Sequence, residues 1–424
     1  MLFNLITFFV SALSKYEFFL LGARISLGEL IAIASIPFFL NSRVHIKYLL
    51  FMIYPFLIWT AAICISDFTN NTNMTFFIKS LMKPVFSICW ALFFMNVFMK
   101  NHKTLLFFIA GFCIAGLQNY FSPSAWTQYY SDSVYSAYFY GLSPLIISTF
   151  IFIATLAKFY INKFPIFLIT FACLITLVFL GSPRNLILVF FVVSALLFLY
   201  DYKNLPYLRW LDLRNTNATK LLTYTFIGVL IFSAFYYLYV FMASSGMLGE
   251  YQLSKYESES TRTLFGNSPI GLILSGRTQV FGAILAIIDN PILGYGSWQG
   301  VSGSLSDYFL DAVYTVGTNT DNLNRMSEYG LLGSVGHSIL FTAWLENGII
   351  AATALMILFR RSIKVFLCTY NMEGYFYQPW IYYSLSLLLW NFFFSPFDFF
   401  SRMILGLIAC LFTIQRYKLK MYPL

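Results

Sequence analysis

Only three histidines occur in the 424 residues, and His337 alone stands where proton transfer is feasible. It lies in Gly336-His337-Ser338, directly ahead of an apolar run that reads as a helix. The positive end of a helix dipole disfavours the imidazolium, so a histidine placed there stays neutral and able to accept a proton. Ser338 beside it can both donate and accept a hydrogen bond. The plainer alternative is an interfacial histidine making one hydrogen bond. His45 and His102 fall among basic residues between apolar runs and read as solvated side chains.

Two arginines invite an anion. In Ser182-Pro183-Arg184, the serine reads as N-cap and the proline as the first residue of an apolar helix. Arg277 follows Ser275-Gly276 and opens a second helical pattern. A cation in a first turn opposes the macrodipole by roughly 0.3–1 kcal/mol. A bound phosphate or pyrophosphate reverses that sign, because helix N–H groups and the guanidinium then attract it together. Without an anion, each arginine would snorkel to lipid headgroups. Lys79 and Lys83 lie four apart inside an otherwise apolar segment, and Lys83, just before Pro84, is the better second contact for an anion. Lys79 reads as reaching an interface. Asp398 and Arg402 lie at the outer end of the last apolar run, where they are expected to pair with each other first and to support a site second.

The elements that must carry these residues are membrane helices. Apolar residues make up 59% of the chain and charged residues 10%, well below the roughly 25% of soluble domains. The runs are continuously apolar rather than alternating, which excludes a β-barrel. Spans are predicted near 3–22, 25–41, 48–66, 75–98, 104–120, 138–157, 164–181, 184–200, 221–243, 338–359, 376–395 and 400–415. The fold class is therefore an all-α polytopic membrane protein with about 12 crossings. The formal charge of +9 is spread singly or in small groups between the runs, which argues against nucleic acid. Lys and Arg collect in alternate loops, among them Arg360, Arg361 and Lys364, and place those loops and both termini in the cytoplasm. Five cysteines fall in predicted spans and Cys368 in a short basic loop, so no disulfide framework is implied. The first segment reads as part of a span rather than a removable signal.

One outer segment is exceptional. The chain divides into helices 1–9 over residues 1–243, a long polar loop over 244–337 and helices 10–12 over 338–424. Loops of such length are usually functional or disordered. This one has a pattern: Val280, Phe281, Ile284, Leu285 and Ile288 recur at helical spacing until Asn290-Pro291 stops them. An amphipathic helix lying on the membrane surface is expected, followed by a turn at Gly294-Tyr295-Gly296.

Taken in order, Ser182-Pro183-Arg184, Ser275-Gly276-Arg277, Asn290 to Gly296, His337-Ser338 and Leu345-Glu346-Asn347-Gly348 resemble the O-antigen polymerase and ligase family of bacterial inner-membrane glycosyltransferases. The resemblance covers the general hydropathy plan, with specific motifs confined to 182–348. It implies a GT-C-like fold with the active site facing the periplasm. The donor it implies is a glycan on undecaprenyl pyrophosphate, used without metal or other cofactor in lipopolysaccharide or other surface polysaccharide biosynthesis. His337 would be the catalytic base towards an acceptor hydroxyl. Arg184, Arg277 and Lys83 would stabilise the departing pyrophosphate, and attack opposite the leaving group would invert the anomeric centre. Ser338 stands where many relatives have Asn. The acceptor is a second lipid-linked repeat unit if the chain is a polymerase, the favoured reading, and lipid A-core if it is a ligase. A chain-length regulator is a further expected partner, besides membrane lipid. A transporter or flippase is the competing class, but no repeated halves with matching interrupted helices support it.

Overall fold

A computed structural model of the protein describes residues 2–20, 23–39, 46–121, 142–161, 165–179, 184–202, 278–298, 338–371, 377–395, 397 and 399–417, a few residues between 230 and 257, and Tyr308. Helices dominate. They are α1 (Leu2–Ala12), α2 (Leu27–Phe39), α3 (Ile46–Thr69), α4 (Met74–Asn101), α5 (Leu105–Phe121), α6 (Ser143–Tyr160), α7 (Phe167–Phe179), α8 (Arg184–Asp201), α9 (Thr278–Asp289), α10 (Ile339–Asn371), α11 (Gln378–Phe394) and α12 (Phe399–Tyr417).

Three helical stretches among the described residues are long and apolar enough to cross a membrane: Ile46–Thr69, Met74–Gln118 and Ser143–Tyr160. The second passes through α4 and α5, which a short 3-10 turn at His102–Thr104 joins. Their apolarity on all sides is what a helix needs when protein covers one face and lipid the other. Leu57 and Ile65 on α3 and Ile153 on α6 accordingly remain exposed, while Trp59, Ile63 and Ile151 are buried. Among the described residues the core is one large apolar cluster with two small ones beside it, and α11 contributes Trp380, Ile381, Tyr382, Leu385, Leu388 and Phe392 to the large one. Around it α12 packs on α4, α10 on α3, α1 on α5, and α7 on α8.

Several expectations are corrected. The predicted span 3–22 is broken: α1 ends at Ala12, a 3-10 turn covers Leu13–Lys15, and Glu17–Leu20 pairs antiparallel with Ala23–Ser26. The second predicted span, 25–41, matches α2, which opens on the capping box Ser26-Leu-Gly-Glu29. The Glu29 N–H donates to Ser26 Oγ at 3.0 Å, and the Ser26 N–H donates to Glu29 Oε2 at 3.0 Å. This reciprocal pair fixes the start of α2. Arg402 takes Glu29 as its partner, with Nε 3.1 Å from Oε1 and Nη2 donating to Oε2 at 3.1 Å. The expected partner Asp398 lies outside the described residues.

The span 338–359 is also corrected. The helix runs on to Asn371 and breaks at Gly348, where φ is 72° and ψ is −172°. Arg360, Arg361, Lys364 and Cys368 therefore sit on a helix rather than in a loop. Arg361 is buried, with its guanidinium donating to the carbonyls of Phe51 (2.8 Å) and Met52 (3.2 Å). His102 is buried as well, its ring set against Tyr377, so the solvated reading fails for it. His45 lies outside the described residues.

Candidate functional site

Two motifs that stand some fifty residues apart in sequence are joined backbone to backbone. Tyr295 N donates to Leu345 O (2.9 Å), Gly296 N to Glu346 O (2.9 Å) and Ile349 N to Ile292 O (3.2 Å). The contact is possible only because two glycines stand in it. Gly294 has φ 71°, and a Cβ there would lie 2.6 Å from Leu345 O. A Cβ on Gly348 would overlap the Ile292 carbonyl. Both positions need the left-handed backbone region that glycine occupies freely. The break at Gly348 thus exposes helix backbone groups that the 292–296 segment satisfies.

Helix α9 delivers that segment. It spans the residues that the apolar spacing predicts and stops at Asn290, whose Nδ2 donates to Gly294 O at 2.6 Å. The packed face is Val280, Ala283, Ala286 and Ile287, with Ala283, Ala286 and Ile287 set against Leu345, whereas Leu285 and Ile288 point outward and are exposed. Trp344 Nε1 donates to Pro291 O at 2.9 Å and closes the turn. Tyr308 donates to the Asp289 carboxylate, and that hydrogen bond pushes its phenol above the usual value.

The charged residues gather beneath this junction. Lys83 on α4 donates from Nζ to Glu346 Oε2 at 2.8 Å, with both side chains almost wholly buried. Glu346 Oε1 accepts from the Trp298 N–H at 3.4 Å. Lys79, one turn earlier, places Nζ 3.6 Å from the centre of the Trp298 ring, and Lys83 Nζ is 5.0 Å from it. Trp298 itself has φ 53°, a costly conformation for a non-glycine residue. At the end of α3, Asp67 Oδ1 accepts from Ser297 N (2.6 Å) and Thr72 Oγ1 (3.0 Å). Ser66 Oγ donates to Glu346 O (2.8 Å), Asn70 Nδ2 to Gly294 O (3.2 Å) and Asn347 Nδ2 to Ser297 Oγ (3.2 Å).

Of the residues singled out from the sequence, Lys83 and Lys79 lie in this cluster. Ser338 is wholly buried, accepts from Phe341 N (3.1 Å) as the cap of α10 and donates to Phe392 O (2.8 Å). It anchors the chain one residue after His337 to α11. Arg402 stands elsewhere, on Glu29. Arg184 lies at the described start of α8, and the predicted cap Ser182 and first helical residue Pro183 lie outside the described residues. His337, Arg277, Asp398 and the Arg184 side chain lie outside the described residues. Sequence reasoning missed Asp67, Asn70, Glu346 as an ion-pair partner and Trp298. The only local signals were an acid at the end of an apolar run and a tryptophan two residues after the glycine turn. Among the described residues no group of three His, Cys, Asp or Glu stands together that could hold a metal ion. No family model matches the chain, and no curated protein matches it either.

Proposed function

We propose that the chain is a membrane-embedded glycosyltransferase that extends a surface polysaccharide, taking a glycan from undecaprenyl pyrophosphate to a sugar hydroxyl of another lipid-linked unit. It crosses the bacterial inner membrane about twelve times, with residues 244–337 on the periplasmic face. The observation that carries this reading is the convergence of Asn290–Gly296, Leu345–Gly348 and the intramembrane Lys83 on one buried cluster. These are pieces of the resemblance that sequence order alone leaves far apart, and a buried lysine–glutamate pair costs desolvation that a purely structural contact could avoid. Exposed Leu285, Ile288 and Ile292 on the outer face of α9 and its turn support its position at the membrane surface.

In this reading His337 removes the proton from the attacking hydroxyl, and Arg184 and Arg277 stabilise charge on the leaving pyrophosphate, with no metal. Lys83 contributes positive potential from behind, held in place by Glu346. Each arginine or histidine removed should cost about 10²–10⁴ in rate. The test is glycan gel analysis of a strain lacking the chain, complemented with wild type, His337→Ala or Arg277→Ala at equal protein level. Wild type restores a long ladder, and both variants leave single repeat units on the core. Full ladders from both variants overturn the mechanism, and loss of all core-attached glycan in the null strain assigns the chain to ligation instead.

A further inference from the structure

The cluster contains one buried acceptor and one buried donor that nothing else in it uses. Asp67 is only 4% exposed, and Ser297 N and Thr72 Oγ1 both converge on its Oδ1. Its Oδ2 has no hydrogen-bond partner among the described residues, nor does Trp298 Nε1, which is also shielded from the surface. Leaving such atoms unmet is costly, by amounts comparable to a lost hydrogen bond each. The two belong to neighbouring parts of one structure: Asp67 holds the N–H of Ser297, the residue before Trp298. The Trp298 ring is held in a strained backbone conformation with the Lys79 ammonium over its face.

We infer that Asp67 Oδ2 and Trp298 Nε1 form a subsite for a sugar hydroxyl, which donates to the carboxylate and accepts from the indole. A hydroxyl placed between them would satisfy both, as a water or a primary amide also would, and the glycosyltransferase reading supplies a sugar as its bearer. An anion would be repelled by Asp67, and a second cation would meet Lys79 and Lys83 around the same ring. Asp67 and Trp298 are thus positioning residues that set which glycan is accepted. The inference rests on the glycosyltransferase reading for the class of sugar-bearing substrate, and on the two open polar atoms for the place where it is held.

Saturation-transfer difference NMR on the full-length protein in lipid nanodiscs tests it, with the repeat-unit oligosaccharide released from the host's own surface glycan as probe. Wild type transfers saturation to the sugar. Trp298→Phe keeps a ring under Lys79 and removes the N–H, while Asp67→Asn keeps Oδ1 and turns the open acceptor into a donor. Each variant binds the sugar at least tenfold more weakly. Inorganic pyrophosphate, followed by its phosphorus line width, behaves alike with all three proteins. No transfer in wild type, undiminished sugar binding by Trp298→Phe, or pyrophosphate binding that depends on Asp67 overturns the inference. If Asp67→Asn fails to fold, Trp298→Phe decides. A null strain that still makes full-length surface glycan defeats the enzymatic reading but leaves an Asp67- and Trp298-dependent sugar site standing, so the two failures are distinct.

Discussion

Glu29 and Glu346 are both buried carboxylates paired with a cation on another helix, and both pairs meet the same helix, α4. They differ in what else reaches them. Glu29 receives Arg402 on both oxygens, the Ser26 N–H on Oε2 and Trp90 Nε1 on Oε1 at 3.4 Å. Three hydrogen-bond donors and the Arg402 Nε ion-pair contact meet that carboxylate, and the residues involved tie α2, α4 and α12 together. Glu346 receives a single ammonium and one long backbone contact, and around it lie a lysine on an aromatic face, a strained tryptophan and an aspartate with one oxygen open. A saturated ion pair is a joint. An unsaturated one beside cations has capacity for a ligand, and on the proposed reading that contrast separates structural charge from functional charge.

The strongest way to break the comparison is to remove one partner from each pair. Arg402→Ala and Lys83→Ala each leave a carboxylate buried and uncompensated, at a cost of about 3–5 kcal/mol. Thermal unfolding in detergent reads this loss. Both variants should be strongly destabilised, and equal stability to wild type in either would mean that its carboxylate finds another route to charge compensation. Gly348→Ala comes next. Its positive φ alone costs about 1–3 kcal/mol, and the Ile292 carbonyl must also move away. The same melting experiment should show the loss, together with a weakened 290–298 segment that limited proteolysis detects near α9. The smallest effect sharpens the structural side. Ser26→Ala removes one half of the capping box and should cost about 1 kcal/mol, seen as a lowered Tm with glycan length unchanged.

Much of the scaffold is legible in the sequence because apolar runs and helix stops are local. The helix α9 begins at Thr278 and ends before Asn290-Pro291, as spacing and proline predict. Helix α8 is described from Arg184 to Asp201, close to the predicted span 184–200. The failures have physical causes of two kinds. One signal is local but outweighed, since Asn347-Gly348 is a turn dipeptide inside an apolar run. The capping box Ser26-Leu-Gly-Glu29, by contrast, opens α2 close to the predicted start at 25. Other features are long-range. Lys83 and Glu346 stand 263 residues apart, and Arg402 and Glu29 stand 373 apart. Hydropathy places each of these residues at a depth but cannot pair them. Asp67 and Trp298 escaped notice for the same reason, since their significance comes from the hydrogen bonds that the fold leaves unmade.

The decisive measurement replaces each ion pair whole, by apolar residues of similar volume, and reads surface glycan by gel at matched protein level. Glu29→Met with Arg402→Met removes a joint, and Lys83→Met with Glu346→Met removes the proposed site while relieving the buried charge in the same way. Complementation of the null strain should give long glycan with the first double variant and single repeat units with the second, both proteins remaining folded in the membrane. Long glycan from a folded Lys83→Met/Glu346→Met protein would contradict the functional assignment of the cluster.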